Sequence, residues 1–363
     1  MNTLNERELE RYDRHLKLPS FGLEAQLKLK NARVLLVGAG GLGCPIGLYL
    51  AAAGVGQLTV ADFDSIDLTN LQRQIAHRQA DLGKPKVLSL VQRMSDINDA
   101  IEVIAASERM TADTLPKWLH DVDLVLDGTD NFSTRYLIND ACFFAKKPLV
   151  YGAIHQFEGQ VSVFGPGGPC YRCLFPTPPP PESAPNCAEA GVLGVLPGTV
   201  GLLMATEAIK VLAGIGQPLL GKLLLYDALD SQFRTLALSP DPDCPLCGEK
   251  PQIQTLTPIA QVCAAPNPLE ITWVLAEKHL AAGIPFLDVR EPFERERERI
   301  EPSHWIPLNA LSPEKIPFDE KDLAVVYCAM GGRSLRAVET LRSWGYQRTF
   351  SLQGGIRSLN LKT

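Results

Sequence analysis

The chain has 363 residues, 45% of them hydrophobic and 21% charged, with a mean hydropathy of +0.01, which excludes wholesale disorder and gives length for two domains. Its 35 basic and 41 acidic residues leave a formal charge of −6, so no overall basic field exists to hold a nucleic-acid backbone. Residues 1–14 are charged and lack the apolar core of a signal peptide, which points to a cytoplasmic protein.

Residues 6–30 mix charged and apolar positions, predicting one or two amphipathic helices ahead of the first strand. Residues 32–37 (A-R-V-L-L-V) predict a strand ending at Gly38, and residues 42–53 a helix with few polar positions, giving the order strand, glycine turn, helix. Further strands are expected at 58–61, 124–126, 149–151, 160–164 and 223–226, with helical patterns between several of them. The fold class is therefore α/β, a mainly parallel sheet that gains antiparallel strands late. The charge-free stretch 190–206 contains Pro197 and reads as a buried helix preceded by a loop rather than a membrane span.

Residues 175–185 carry six prolines and predict a surface loop. Residues 249–268, with four prolines and no strong period, read as a linker between a first domain, 1–248, and a small α/β domain, 269–363. The second domain holds 13 basic and 13 acidic residues, so the net charge belongs to the first. The run E-R-E-R-E-R at 294–299 is expected to be a solvated face.

Gly38, Gly40 and Gly43 satisfy G-x-G-x-x-G between a strand and a helix, where backbone can approach a phosphate and the helix N-terminus attracts its charge. Asp62 ends the next strand, where a carboxylate can accept hydrogen bonds from a ribose. A nicotinamide dehydrogenase would share these features. Thr69-Asn70-Leu71-Gln72-Arg73, Lys86 and Asp130-Asn131 add what nucleoside-triphosphate chemistry needs: cations for phosphate oxygens and a carboxylate for magnesium.

Cys170, Cys173, Cys244 and Cys247 form two C-x-x-C pairs, suited to one tetrahedral zinc, with redox pairs or packed thiols as the alternatives. Cys187 follows the proline-rich loop and is either an inert thiol or a reactive one. In the second domain a strand at 323–327 leads into Cys328-Ala-Met-Gly-Gly-Arg333-Ser334 and a helical pattern at 335–344. Cys328 thus sits at a helix N-terminus, where backbone N–H groups and Arg333 favour a thiolate or an anionic persulfide.

R-Y-D-R-H-L (11–16), V-G-A-G-G-L-G, T-N-L-Q-R-Q, D-G-T-D-N-F-S-T-R-Y, F-E-G-Q-V-S-V-F, C-Y-R-C-L-F-P and C-A-E-A-G-V-L-G-V-L-P-G resemble the MoeB/ThiF family of ubiquitin-like-protein activating enzymes, over residues 6–248. The resemblance implies adenylation, with ATP and magnesium, of the C-terminal glycine of a small MoaD/ThiS-like carrier ending in Gly-Gly. Gly41, Asp62, Asn70, Arg73, Lys86, Asp130 and Asn131 fall on its nucleotide positions, and Asp130 on the magnesium carboxylate. It further implies structural zinc on the four paired cysteines, a homodimer in which Arg14 reaches the neighbouring nucleotide, and a covalent role for Cys187.

The Cys328 loop, with F-L-D-V-R-E-P (286–292) and L-Q-G-G-I (352–356), resembles a rhodanese domain, which implies that Cys328 carries persulfide sulfur in an anion-binding loop and receives it from a donor such as a cysteine desulfurase. A related phosphatase has a loop one residue longer. Together the two domains suggest a relay from acyl-adenylate to thiocarboxylate. Its rivals are thioester formation without sulfur transfer, a nicotinamide-dependent oxidoreductase and a non-catalytic scaffold. The carrier, whether for molybdopterin, thiamine or tRNA thiolation, is not named by the sequence.

Overall fold

The computed structural model describes residues 3–178, 191–257 and 267–362. They divide into two compact units, one ending at residue 257 and the other beginning at 267.

The first unit is built on an eight-stranded sheet: β1 (Arg33–Val37), β2 (Gln57–Ala61), β3 (Glu102–Ala106), β4 (Leu124–Asp127), β5 (Leu149–His155), β6 (Glu158–Phe164), β7 (Lys222–Asp227) and β8 (Gln232–Ala237). Their order is β3-β2-β1-β4-β5-β6-β7-β8. The first five are parallel, and β6, β7 and β8 join antiparallel, as the sequence predicts.

Both faces of β1 are covered, which explains its unbroken apolar run. Because successive side chains point to opposite faces, Val34 and Leu36 pack with helices Gly43–Ala53, Lys86–Ile97 and Leu196–Ala213, whereas Leu35 and Val37 pack with Leu115–Leu119 and Phe132–Ala145. Leu196–Ala213 is long and apolar enough to cross a membrane, yet half of it is buried in this core, with Val200, Met204 and Ala208 at the sheet. The N-terminal segment is pinned by buried Tyr12, whose hydroxyl accepts from Asn98 Nδ2 at 2.9 Å.

Residues 249–257, expected to begin a linker, pack on the first unit. The N–H groups of Gln252 and Ile253 donate to Pro245 O, and Leu256 joins the core beside Leu119 and Tyr136.

The second unit has a five-stranded, all-parallel sheet in the order β11-β10-β12-β13-β9: β9 (Glu270–Ile271), β10 (Phe286–Asp288), β11 (His304–Trp305), β12 (Ala324–Tyr327) and β13 (Thr349–Leu352). Central β12 is buried throughout and delivers Cys328 to the N-terminus of helix Gly332–Ser343.

Candidate functional site

The candidate nucleotide site lies at the switch between β1 and β4, where the strand order reverses direction. Gly38 has φ +100°, and a Cβ there would meet Gly128 O at 2.7 Å; a Cβ on Gly43 would lie 1.9 Å from Gly38 O. These two glycines close the turn. Gly40 is different: a Cβ there would meet only Gln74 Nε2, at 3.6 Å. Gln74 is itself buried, its Oε1 without a partner among the described residues. Gly41 faces Pro197 at the start of the long helix.

Asp62 follows β2 and accepts from Ala39 N–H at 2.7 Å and Asp64 N–H at 2.8 Å; burial pushes its carboxyl above the usual range. Lys86, buried along its stem, pairs with half-exposed Asp64 at 2.9 Å. Asp67 accepts from the Thr69 N–H, Asn70 Oδ1 accepts from the Asp67 N–H, and Arg73 Nη1 donates to Thr69 O at 3.0 Å. Leu71 is half-buried, and Gln72 packs so closely on Gly194 that a Cβ there would lie 2.2 Å from Gln72 Oε1.

At the end of β4, buried Asp127 faces Arg135 at 3.4 Å and accepts from Thr129 Oγ1 at 2.6 Å; burial pushes its carboxyl up. The next turn presents Asp130, exposed and without a protein partner among the described residues, and Asn131, which caps helix Phe132–Ala145 through the Thr134 N–H at 2.9 Å. The open cradle, the two cations and the free carboxylate fit a nucleoside triphosphate with its divalent ion. Arg14 stands apart, its side chain 88% exposed beside Asp13.

The four paired cysteines converge, all sulfurs lying within 4.8 Å of one another, with Cys170–Cys173, Cys170–Cys244 and Cys173–Cys247 at 3.9, 3.6 and 3.3 Å. Sulfurs about 2.3 Å from a tetrahedral zinc stand about 3.8 Å apart, so the cluster is compatible with zinc. Cys44 and Cys142 are buried; burial pushes Cys44 up to about 12 and Cys142 above the usual thiol range. Cys187 and Cys263 lie outside the described residues.

In the second unit Cys328 Sγ accepts from the Gly331 N–H at 3.1 Å and Ser334 Oγ at 3.4 Å. Arg333, expected to hold an anion in this loop, is engaged elsewhere: its Nη1 and Nη2 donate to Glu294. The E-R-E-R-E-R run is accordingly not just a solvated face. Glu294 holds Arg333, while Arg295 reaches Asp288 at 3.3 Å and Ser303 Oγ at 3.0 Å. Only a partner 39 residues downstream reveals Glu294's part, so spacing gave no signal for it.

Residues 12–246 match the model of the ThiF family, and residues 272–362 that of the Rhodanese-like domain. The chain belongs to the ThiF family. This ThiF-family chain is 42% identical over 372 residues to a probable adenylyltransferase/sulfurtransferase MoeZ of Mycobacterium tuberculosis, covering 98% of this chain and 93% of the relative. It is 51% identical over 262 residues to a sulfur carrier protein adenylyltransferase of Thermus thermophilus, 70% of this chain and 97% of the relative. It is also 42% identical over 377 residues to adenylyltransferase and sulfurtransferase MOCS3-2 of Zea mays, 96% of this chain and 78% of that one. The solved structure of E. coli MccB with AMPCPP and selenomethionine MccA shares the fold, at a TM-score of 0.60 and 24% identity over 68% of this chain and 76% of that one. The two resemblances read from the sequence are thus borne out, and so is the α/β class.

Proposed function

We propose that the chain uses ATP to adenylate the C-terminal glycine of a small ubiquitin-like sulfur carrier and then transfers sulfur from Cys328, acting as a cytoplasmic homodimer. What carries the reading is the presence, on one chain, of the nucleotide cradle at the β1/β4 switch and a cysteine loop at a helix N-terminus. Of the relatives named above, those of Mycobacterium tuberculosis and Zea mays bear both activities in their names, and that of Thermus thermophilus bears the first.

The carrier's carboxylate attacks the α-phosphorus of ATP, and the bond to the departing pyrophosphate breaks. A carboxylate is a weak nucleophile, so the residues must neutralise phosphate charge and align the groups. The glycine turn of Gly38, Gly40, Gly41 and Gly43 admits the phosphates, and Asp62 takes the ribose hydroxyls. Arg73 and Lys86 meet phosphate oxygens, Lys86 exchanging its Asp64 partner for them, and Arg14 serves the partner protomer's nucleotide. Asp130 would hold magnesium, which when bound neutralises charge between phosphate oxygens, and Asn131 lines the nucleotide beside it. Zinc on Cys170, Cys173, Cys244 and Cys247 would be structural, all four ligand places being filled by protein.

A persulfide on Cys328 then attacks the acyl carbon and AMP leaves, giving an acyl disulfide. A second thiol, Cys187 in this reading, attacks Cys328 Sγ and releases the thiocarboxylate; the resulting disulfide is returned to thiols by an external thiol reductant. The donor that reloads Cys328 is a persulfide such as that of a cysteine desulfurase. The test is ATP–pyrophosphate exchange with Gly-Gly-ending carriers; tight NADH binding with no exchange for any carrier would overturn the reading.

A further inference from the structure

Within the nucleotide site as read above, the geometry points to His77 as a positioning residue that locks the glycine turn to the segments carrying Arg73 and Lys86. His77 is buried, at 6% exposure, and lies four residues beyond Arg73 in a stretch no motif singled out. Its Nε2 is 3.0 Å from Ala39 O, inside the G-A-G-G-L-G turn. A carbonyl only accepts, so Nε2 carries the proton and donates. The ring's other nitrogen, Nδ1, is 3.1 Å from Ser89 Oγ, a hydroxyl that also lies 3.4 Å from Asp81 Oδ2. Burial holds His77 below its usual pKa, consistent with the neutral form.

Three segments therefore meet on one imidazole. Ala39 belongs to the phosphate turn, His77 to the stretch that follows Arg73, and Ser89 to the first turn of the helix headed by Lys86. The Ala39 peptide is gripped from both sides: its N–H donates to Asp62 Oδ2 at 2.7 Å while its carbonyl accepts from His77, with the Cys44 thiol a weaker second donor at 3.6 Å. A turn held in this way meets ATP without first ordering itself, which is where a positioning group acts.

The test compares wild-type full-length chain with His77→Leu and His77→Gln, measuring ATP binding by calorimetry, KM for ATP and kcat in ATP–pyrophosphate exchange, and thermal midpoint. Losing one buried hydrogen bond from the turn is expected to raise the ATP dissociation constant and KM about tenfold in His77→Leu, with the carrier's KM unchanged. His77→Gln, whose amide can donate to the same carbonyl, is expected to restore most of the affinity. Persulfide transfer from thiosulfate to cyanide by Cys328 serves as the internal control and stays at the wild-type rate. Unchanged ATP affinity in His77→Leu, or loss that Gln does not restore and that only tracks a fallen midpoint, overturns the inference alone. Failure of wild type to bind ATP overturns the functional reading on which it rests.

Discussion

Arg333 donates to both carboxylate oxygens of Glu294, at 2.7 and 2.6 Å, so the cation that ends the Cys328 loop is already neutralised. Burial raises the Glu294 carboxyl, but the Arg333 hydrogen bonds, the Glu291 backbone N–H and the charges of Arg333 and Arg290 together outweigh it, and the net shift is downward. Glu294→Gln frees the guanidinium for an anionic donor, and KM for thiosulfate in Cys328 persulfidation is expected to fall several-fold. An unchanged KM would mean that Arg333 has no access to the loop.

The same pair predicts an acid response. A carboxylate whose folded pKa is depressed adds stability above its ordinary value of 4.5 and loses it as pH falls through the lower folded value. The midpoint of the second unit is expected to fall more steeply below about pH 4.5 in wild type than in Glu294→Gln, followed by thermal denaturation across pH.

The two kinds of glycine in the turn separate folding from binding. Gly43→Ala drives a methyl into Gly38 O and is expected to lower the thermal midpoint of the first unit together with activity. Gly40→Ala has room in the fold, so its midpoint stays while KM for ATP rises. Equal midpoints for both variants would contradict this.

Asp127 and Arg135 are both buried and 3.4 Å apart, with Asp127 Oδ2 and Arg135 Nε otherwise without a partner among the described residues. Arg135→Met leaves a carboxylate in the interior and is expected to cost about 3–5 kcal/mol in denaturant unfolding. Asp127→Asn with Arg135→Met together is expected to cost less than the single change.

Much of this was legible in the sequence because it is local. The run Val34–Val37, the glycines after it and the paired cysteines each act through near neighbours, and the buried strands of the first unit and β12 stood out, whereas the short buried strands β10 and β13 were not predicted as strands. β8 did not, since every residue of Gln232–Ala237 is exposed at a sheet edge and shows no buried alternation. β3 was also missed, its residues from Glu102 to Ala105 being exposed or half-buried. His77 and Glu294 were invisible for another reason. Their partners lie 38 and 39 residues away, and only the folded crossovers bring them together.

The most direct test of the relay is the intact mass of a Gly-Gly-ending carrier after incubation with the chain, ATP, magnesium and a persulfide donor. Wild type is expected to exchange one carrier oxygen for sulfur, Arg73→Ala to lose both adenylate and exchange, and Cys328→Ala to keep adenylation while losing the exchange. A full exchange in Cys328→Ala, or no change of the carrier with wild type across all carriers tried, would contradict the account.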